Sequence, residues 1–173
     1  FIAKIIPYRG AWVEFEHDPK NLIWVRLDRK KKFLATVFLR ALGFGTDEDI
    51  LKLFHKIYKV VPEEGKLFWE VSDSLVGKTA GEDVTDAKGR KVLAPAKKKI
   101  TPDVLAALKD AGVTRVSALK KELLGAYSLA GIKGKVRVNE PIEDVHLDLL
   151  TGRGEPFEIF YPRDENVRTL WSP

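Results

Sequence analysis

The spacing of apolar residues changes near residue 30, and this change constrains the fold more than any other feature of the sequence. Before it, apolar residues alternate with polar ones or form strand-length runs, separated by the turn-forming stretches Pro7-Tyr8-Arg9-Gly10 and Asp18-Pro19-Lys20-Asn21. The three predicted strands are residues 2–6, 11–16 and 22–27. After it, apolar residues recur at helical spacing from Phe33 to Leu42, and Gly43 marks the predicted end of a helix. We therefore predict an α+β fold that begins with an antiparallel meander of three strands.

A second helix and a hairpin are predicted next. Thr46 is a suitable N-cap, because its hydroxyl can accept a backbone N–H and acidic residues follow it in the first turn. Four apolar residues are expected to point inward from this segment: Ile50, Leu51, Phe54 and Ile57. The stretch Glu63-Glu64-Gly65 lies between two apolar runs, which predicts a β-hairpin.

The second part of the chain contains a diverged internal repeat, which indicates two small, degenerate α+β modules. Leu75-Val76-Gly77 is echoed by Leu123-Leu124-Gly125. The repeat continues where Ile100, Asp103-Val104 and Leu108 match Ile142, Asp144-Val145 and Leu149. We predict a first domain at residues 1–60 and a second at 61–173, with modules at about 75–122 and 123–162 and a C-terminal tail at 163–173.

Several classes of protein are disfavoured by composition. The chain has no cysteine, and its three histidines, His17, His55 and His146, are widely spaced, so no metal site and no cofactor are expected. No apolar run has the length of a membrane span, and the N-terminus does not resemble a signal peptide. The chain also has no methionine, which we interpret as the mark of a piece of a longer protein.

Positive charge is concentrated in the first third of the sequence. Of the 30 Lys and Arg residues, twelve lie in residues 1–60 against seven Asp and Glu, whereas residues 61–173 hold eighteen of each. A basic surplus in one segment is typical of a surface that meets a polyanion, because Lys and Arg near phosphates release condensed counterions. The sequence contains no arrangement typical of catalysis, such as a nucleophile beside a base or a pair of carboxylates at a suitable spacing.

The candidate nucleic-acid-binding residues form two groups. Arg29, Lys30, Lys31 and Lys32 make a run of four cations just before the predicted first helix, and Arg9 precedes Trp12 across a glycine turn. An indole beside an arginine can stack on an unpaired base while the cation holds its phosphate. The alternative is structural: a charge run is usually a solvated loop, and tryptophans usually belong to a core or a half-buried sheet.

A family resemblance is carried by Ile5-Ile6-Pro7-Tyr8-Arg9-Gly10-Ala11-Trp12-Val13-Glu14-Phe15-Glu16-His17-Asp18-Pro19-Lys20 and by Val25-Arg26-Leu27-Asp28-Arg29-Lys30-Lys31-Lys32. These segments resemble the lobe of the bacterial RNA polymerase β subunit, over about the first 60 residues. The remainder is more loosely similar to a lineage-specific insertion within that lobe. One departure is visible at Leu34, where the family commonly has proline.

The resemblance implies a role in DNA-directed RNA synthesis. The lobe would form one wall of the downstream DNA cleft and contact the nontemplate strand, and Trp12 matches a family tryptophan that stacks on an unpaired nontemplate base. The catalytic Mg²⁺ would be bound elsewhere, by the partner β′ subunit, so the segment itself would be non-catalytic. Its expected partners are the rest of the β subunit, β′ and the other polymerase subunits, promoter and downstream DNA, and regulators at the insertion, in the bacterial cytoplasm or nucleoid and away from membranes.

Two other functions remain open at this point. The chain could be an autonomous basic nucleic-acid-binding module, which would bind tightly with a steep salt dependence. It could instead be a structural or protein-docking domain centred on residues 70–162, for which an exposed apolar patch would be the sign.

Overall fold

The computed structural model describes residues 1–20, 22–86, 92–132, 136–151 and 155–161, and it divides the chain into two compact units. Within the described residues, the first unit is Phe1–His55 and the second is Lys56–Tyr161. Antiparallel sheets combine with helices, so the predicted α+β class is confirmed. The predicted tail at 163–173 lies outside the described residues.

The first unit contains an antiparallel meander of four strands. They are β1 (Ile2–Ile5), β2 (Val13–His17), β3 (Ile23–Leu27) and β4 (Phe33–Leu34), hydrogen-bonded in the order β1-β2-β3-β4. The three predicted strands are confirmed, but the prediction that the helix begins at Phe33 is wrong. Phe33 and Leu34 pair with Val25 and Trp24, because the chain completes the sheet before it turns into the helix.

Two helices follow the sheet: α1 (Ala35–Ala41) and α2 (Asp47–Phe54). Gly43 has the left-handed φ of 110°, in agreement with the predicted helix end. Thr46 caps α2 as predicted, in a capping box with Asp49 in which each side chain accepts the other's backbone N–H. Phe38 of α1 packs edge-on against Phe15 of β2 at a ring-centre distance of 6.1 Å, which places the apolar face of the sheet against the helix.

Two of the four residues predicted to point inward from α2 do so. Ile50 and Leu51 are buried, whereas Phe54 is 42% exposed. Phe54 is the last residue of the helix, where the helical spacing that directs Ile50 and Leu51 inward ends. Ile57 belongs to the next strand, because His55 is already extended and ends the helix.

The second unit begins with the predicted hairpin, β5 (Ile57–Glu63) and β6 (Lys66–Glu70). Glu64 and Gly65 both have left-handed φ angles, 49° and 76°, as a two-residue hairpin turn with the favoured twist requires. Strand β5 crosses the predicted boundary between residues 60 and 61, and the two units divide five residues earlier, after His55. The assignment of these units to a lobe and an insertion stays a prediction.

The remaining elements of the second unit are short helices and strands. In chain order they are a 3₁₀ turn (Asp73–Leu75), β7 (Val84–Thr85), β8 (Val92–Ala94), α3 (Pro102–Asp110), β9 (Arg115–Ser117), α4 (Lys120–Leu123), β10 (Tyr127–Ser128), α5 (Asp144–Thr151) and β11 (Phe157–Phe160). Five strands form a sheet in the order β10-β11-β5-β6-β9, and β7 pairs with β8. Buried residues of the sheet and of α3 and α5 form a core, in which Trp69, Leu108 and Ile159 are fully buried. No helix within the described ranges is long and apolar enough to cross a membrane.

Corresponding hydrogen bonds occur in the two repeated segments. Ile100 N donates to Lys78 O at 2.7 Å, and Ile142 N donates to Ala126 O at the same distance. The helices that follow, α3 and α5, begin 42 residues apart. Their buried leucines are separated by the same number of residues. Leu105 and Leu108 correspond to Leu147 and Leu150. The side chain of Leu149, which the sequence comparison matched to Leu108, lies outside the described residues.

Candidate nucleic-acid interface

One face of the first sheet is charged, and strand pairing explains why. Lys4, Glu14 and Arg26 are neighbours across β1, β2 and β3, and Glu16 lies opposite Trp24. Because side chains alternate along a strand, these residues share the face opposite the one that carries Phe15 and Val25. We call this set, together with Lys32, the charged face: Lys4, Glu14, Glu16, Trp24, Arg26 and Lys32.

Ion pairs neutralise both acids of the charged face. Lys4 Nζ lies 2.9 Å from Glu14 Oε1, and Glu16 is approached by Arg26 at 3.6 Å and by Lys32 at 3.5 Å. The hydrogen bond from Lys4 lowers the pKa of Glu14, desolvation opposes this, and the charges of Lys4, Arg26 and Arg29 add to the lowering. These pairs are partly exposed, so each contributes little to stability.

Trp12 and Arg29 are brought together at the edge of this face. Trp12 directly precedes β2, and its carbonyl oxygen accepts the Asp28 N–H at 2.8 Å. The turn after β3 has two consecutive left-handed residues, Asp28 with φ 51° and Arg29 with φ 57°. This turn places the Arg29 guanidinium carbon 5.5 Å from the centre of the Trp12 ring, within the range of a cation–π interaction.

A second tryptophan and cation pair lies on the charged face, and sequence reasoning missed it. The Lys32 ammonium nitrogen is 5.1 Å from the centre of the Trp24 ring. The Trp24 indole N–H donates to Asp18 Oδ2 at 3.0 Å, so this ring is held at its edge. The alternation of β3 predicted that Trp24 and Arg26 lie on the same face of the strand. It does not predict a contact between Trp24 and a lysine eight residues later.

The six predicted binding residues therefore do not form one cluster. Trp12 and Arg29 are in contact, and Lys32 joins Trp24 and Glu16 instead. Arg9 is exposed between β1 and β2, and Lys30 and Lys31 are exposed in the loop before β4. The assignment of these six residues to nucleic-acid binding stays a prediction. Across the described part of the chain, no three His, Cys, Asp or Glu side chains converge as metal ligands.

The second unit contains an aromatic cage around Lys78, which the sequence did not indicate. The Lys78 nitrogen lies 3.2 Å from the ring centre of Tyr161, 4.7 Å from that of Tyr58 and 5.8 Å from that of Trp69. The Tyr161 hydroxyl donates to Glu122 O at 2.5 Å. Trp69 is fully buried, and its indole N–H has no hydrogen-bond partner among the described residues, so this ring acts through packing and the cation.

Burial changes the acidity of two groups in the cage. Desolvation lowers the pKa of Lys78. The nearby Glu122 carboxylate opposes this effect, because it favours the ammonium form. Desolvation likewise raises the pKa of Tyr161, and the charge of Glu122 adds to that effect. The facing aromatic rings also favour the ammonium form of Lys78. The cage is therefore an internal cation–π structure that joins β5, β6 and the end of β11.

Comparison with known proteins places the chain in a family. Residues 2–80 match the family model described as RNA polymerase Rpb2, domain 2. The DNA-directed RNA polymerase subunit beta of Solibacter usitatus is 38% identical over 177 aligned positions, which cover 98% of this chain and 12% of that protein. The corresponding subunit of Koribacter versatilis is 37% identical, with 99% of this chain and 12% of that protein covered. That of Sorangium cellulosum is 34% identical, with 96% and 13% covered.

These matches extend over both units of the chain but over a small part of each relative. The chain spans 12% of the length of the first two curated relatives. The match therefore identifies a segment and not a whole subunit. The chain belongs to the family of bacterial DNA-directed RNA polymerase β subunits, as a segment of such a subunit.

Proposed function

We propose that this segment is a non-catalytic part of RNA polymerase that contacts DNA during DNA-directed transcription. Its first unit would be the lobe wall of the downstream cleft, and Trp12 would stack on an unpaired base of the nontemplate strand. The family membership supports the setting, and the basic surplus of residues 1–60 supports a polyanionic partner.

The observation that carries the proposal is the Trp12–Arg29 pair. Trp12 is half-buried just before β2, and among the described residues its ring contacts one cation, Arg29, and no aromatic ring. A tryptophan that belonged to the core would be enclosed like Trp69, which is fully buried. A partly exposed indole beside exposed Arg and Lys side chains has the composition of a single-strand stacking platform.

We assign no catalytic step to these residues. Glu14 and Glu16, the carboxylates of the charged face, are both paired with lysine or arginine. They do not converge as Mg²⁺ ligands, which are typically carboxylates left free to bind the ion. In this proposal the chain's residues bind and orient DNA, and the Mg²⁺ of the polymerase is held outside this segment.

The second unit would serve as a peripheral part of the subunit. The unit, Lys56–Tyr161, has 18 Lys and Arg against 16 Asp and Glu, so its charge is nearly balanced, and it has its own core. A balanced surface on an independent core suits docking of other proteins better than binding of nucleic acid. We therefore propose the remaining β subunit, β′ and transcription regulators as its partners, in the bacterial cytoplasm.

The experiment is the lifetime of promoter open complexes formed by polymerase whose full-length β subunit carries Trp12→Ala. Base stacking on an aromatic ring contributes about 1 to 3 kcal/mol, so loss of the ring is expected to shorten the lifetime by about tenfold. Trp12→Phe retains an aromatic face and should retain much of the lifetime. An unchanged lifetime in Trp12→Ala would contradict the proposed contact.

A further inference from the structure

We propose that Arg29 is a positioning residue for Trp12: its guanidinium covers one face of the indole, so that the ring accepts one unpaired base on its other face. This inference rests on the proposed function, because it assigns a mechanism to the same contact. It differs from the sequence prediction, in which Arg29 belonged to a run of four phosphate-binding cations.

The backbone around Arg29 is shaped for this contact. Asp28 and Arg29 are consecutive non-glycine residues in the left-handed region, a conformation that L-residues adopt at an energetic cost. The turn is closed by two hydrogen bonds, from Asp28 N to Trp12 O at 2.8 Å and from Lys30 N to Leu27 O at 3.0 Å. The first bond joins the turn to the backbone of Trp12 itself, so the backbones that carry the arginine and the indole are held close together.

The chemistry of arginine suits a covering role. A guanidinium is planar, weakly hydrated and able to lie on an aromatic face, whereas the lysine ammonium is compact and strongly hydrated. Trp12 is only half-buried, and Arg29 is the group that the described structure places over its ring. One face of the indole is therefore backed by a flat cation while part of the ring remains open, which suits stacking of one base and not insertion between two.

The Trp24–Lys32 pair, in the same sheet, is a comparison in which the position of the indole does not depend on the cation. Trp24 lies within β3, and its N–H is bound to Asp18, so the ring is anchored without its cation. Trp12 lies outside β2, and among the described residues no side-chain hydrogen bond holds its ring. Arg29 is therefore the group on which the orientation of Trp12 depends.

Salt dependence separates positioning from direct phosphate contact. A lysine or arginine that neutralises a phosphate of single-stranded DNA contributes about 0.7 to the slope of log affinity against log salt concentration. If Arg29 acts through Trp12, Arg29→Ala weakens the complex and leaves that slope unchanged. If it binds a phosphate, the slope falls.

The test uses polymerase whose full-length β subunit carries one of four changes: Trp12→Ala, Arg29→Ala, both together, or Arg29→Lys. Lys66→Ala is the control, because it removes an exposed cation of the second unit. We expect Arg29→Ala to shorten open-complex lifetime severalfold, the double variant to match Trp12→Ala, and Arg29→Lys to lie between wild type and Arg29→Ala. The salt slope should stay constant in all of them. Additive effects of the two changes, or a lower slope in Arg29→Ala, would overturn the positioning role.

A second measurement separates this inference from the function on which it rests. In the 173-residue chain, the indole N–H signal of Trp12 can be assigned with Trp12→Phe, and Arg29→Ala should shift it while leaving the Trp24 signal in place. If Trp12→Ala does not affect the open complex, the proposed function fails whatever the spectra show. If Trp12→Ala shortens the lifetime but Arg29→Ala changes neither the lifetime nor the signal, the function stands and the positioning role of Arg29 is wrong.

Discussion

The ammonium nitrogen of Lys78 lies 3.2 Å from the centre of the Tyr161 ring and is also flanked by Tyr58 and Trp69. The three rings come from β5, β6 and the residue that follows β11, so a single cation connects three adjacent strands of the second sheet. The stability of this unit should depend on that charge.

Replacing Lys78 with methionine keeps most of the side-chain volume and removes the cation. We expect a loss of about 1 to 2 kcal/mol in the free energy of unfolding, the range for a partly desolvated cation–π interaction. Urea denaturation of the 173-residue chain measures it. Lys66→Met is the matched control, because the exposed pair of Lys66 with Glu82 should contribute less than about 1 kcal/mol. Equal losses in the two variants would contradict the role of the cage.

Tyr161 should make the chain sensitive to alkali. Its pKa is raised above the ordinary value of 10.0 by burial, so above pH 10 the unfolded chain releases a proton that the folded chain retains. The corresponding stability is fully present below pH 10 and is lost as pH rises above it. Tyr161→Phe should flatten this part of the curve of unfolding free energy against pH. An equally steep decline in the variant would show that Tyr161 is not responsible.

Asp18 should stabilise the first unit in its charged form. Its pKa is lowered by hydrogen bonds from the Trp24 indole and from the backbone N–H groups of Leu22 and Lys20. The stability it contributes is therefore present above its ordinary pKa of 3.8 and is lost as pH falls below that value. Asp18→Ala should destabilise the chain at pH 7 and have a smaller effect at pH 3, as measured by urea denaturation. Equal effects at both pH values would refute this.

Lys30 and Lys31 are expected to contact phosphates directly, in contrast to Arg29. They are exposed in the loop between Arg29 and β4. Removing both cations should lower the slope of log affinity against log salt concentration by about 1.4, which is two contacts with a single strand. The slope is measured as open-complex stability between low and moderate salt. A slope unchanged by Lys30→Ala with Lys31→Ala would identify the two lysines as solvated side chains.

The elements that local sequence determines were predictable. Alternating apolar residues located β2 and β3, and the Thr46 cap located the start of α2, because both depend on neighbours within a few positions. Strand β4 was missed, since Phe33 and Leu34 also continue the helical spacing of α1. A strand of two residues leaves no periodic signal.

For the sites as well, individual residues were predicted from the sequence, whereas contacts between distant residues were not. Trp12 and Arg29 were both predicted as binding residues, yet their contact depends on the left-handed turn at Asp28, which the sequence does not reveal. The Lys78 cage was missed because its rings are distant in sequence and meet only through the pairing of β5, β6 and β11. Contacts of this kind follow from sheet topology and not from local pattern.

The most direct measurement is the chemical reactivity of unpaired nontemplate bases in open complexes of wild-type and Trp12→Ala polymerase. Stacking shields a base face from oxidants that attack unpaired thymine, so the central claim predicts one thymine near the start site that is protected in wild type and reactive in Trp12→Ala. Trp12→Phe should restore most of the protection. If every nontemplate thymine reacts equally in wild type and Trp12→Ala, Trp12 does not stack on DNA and the account is wrong.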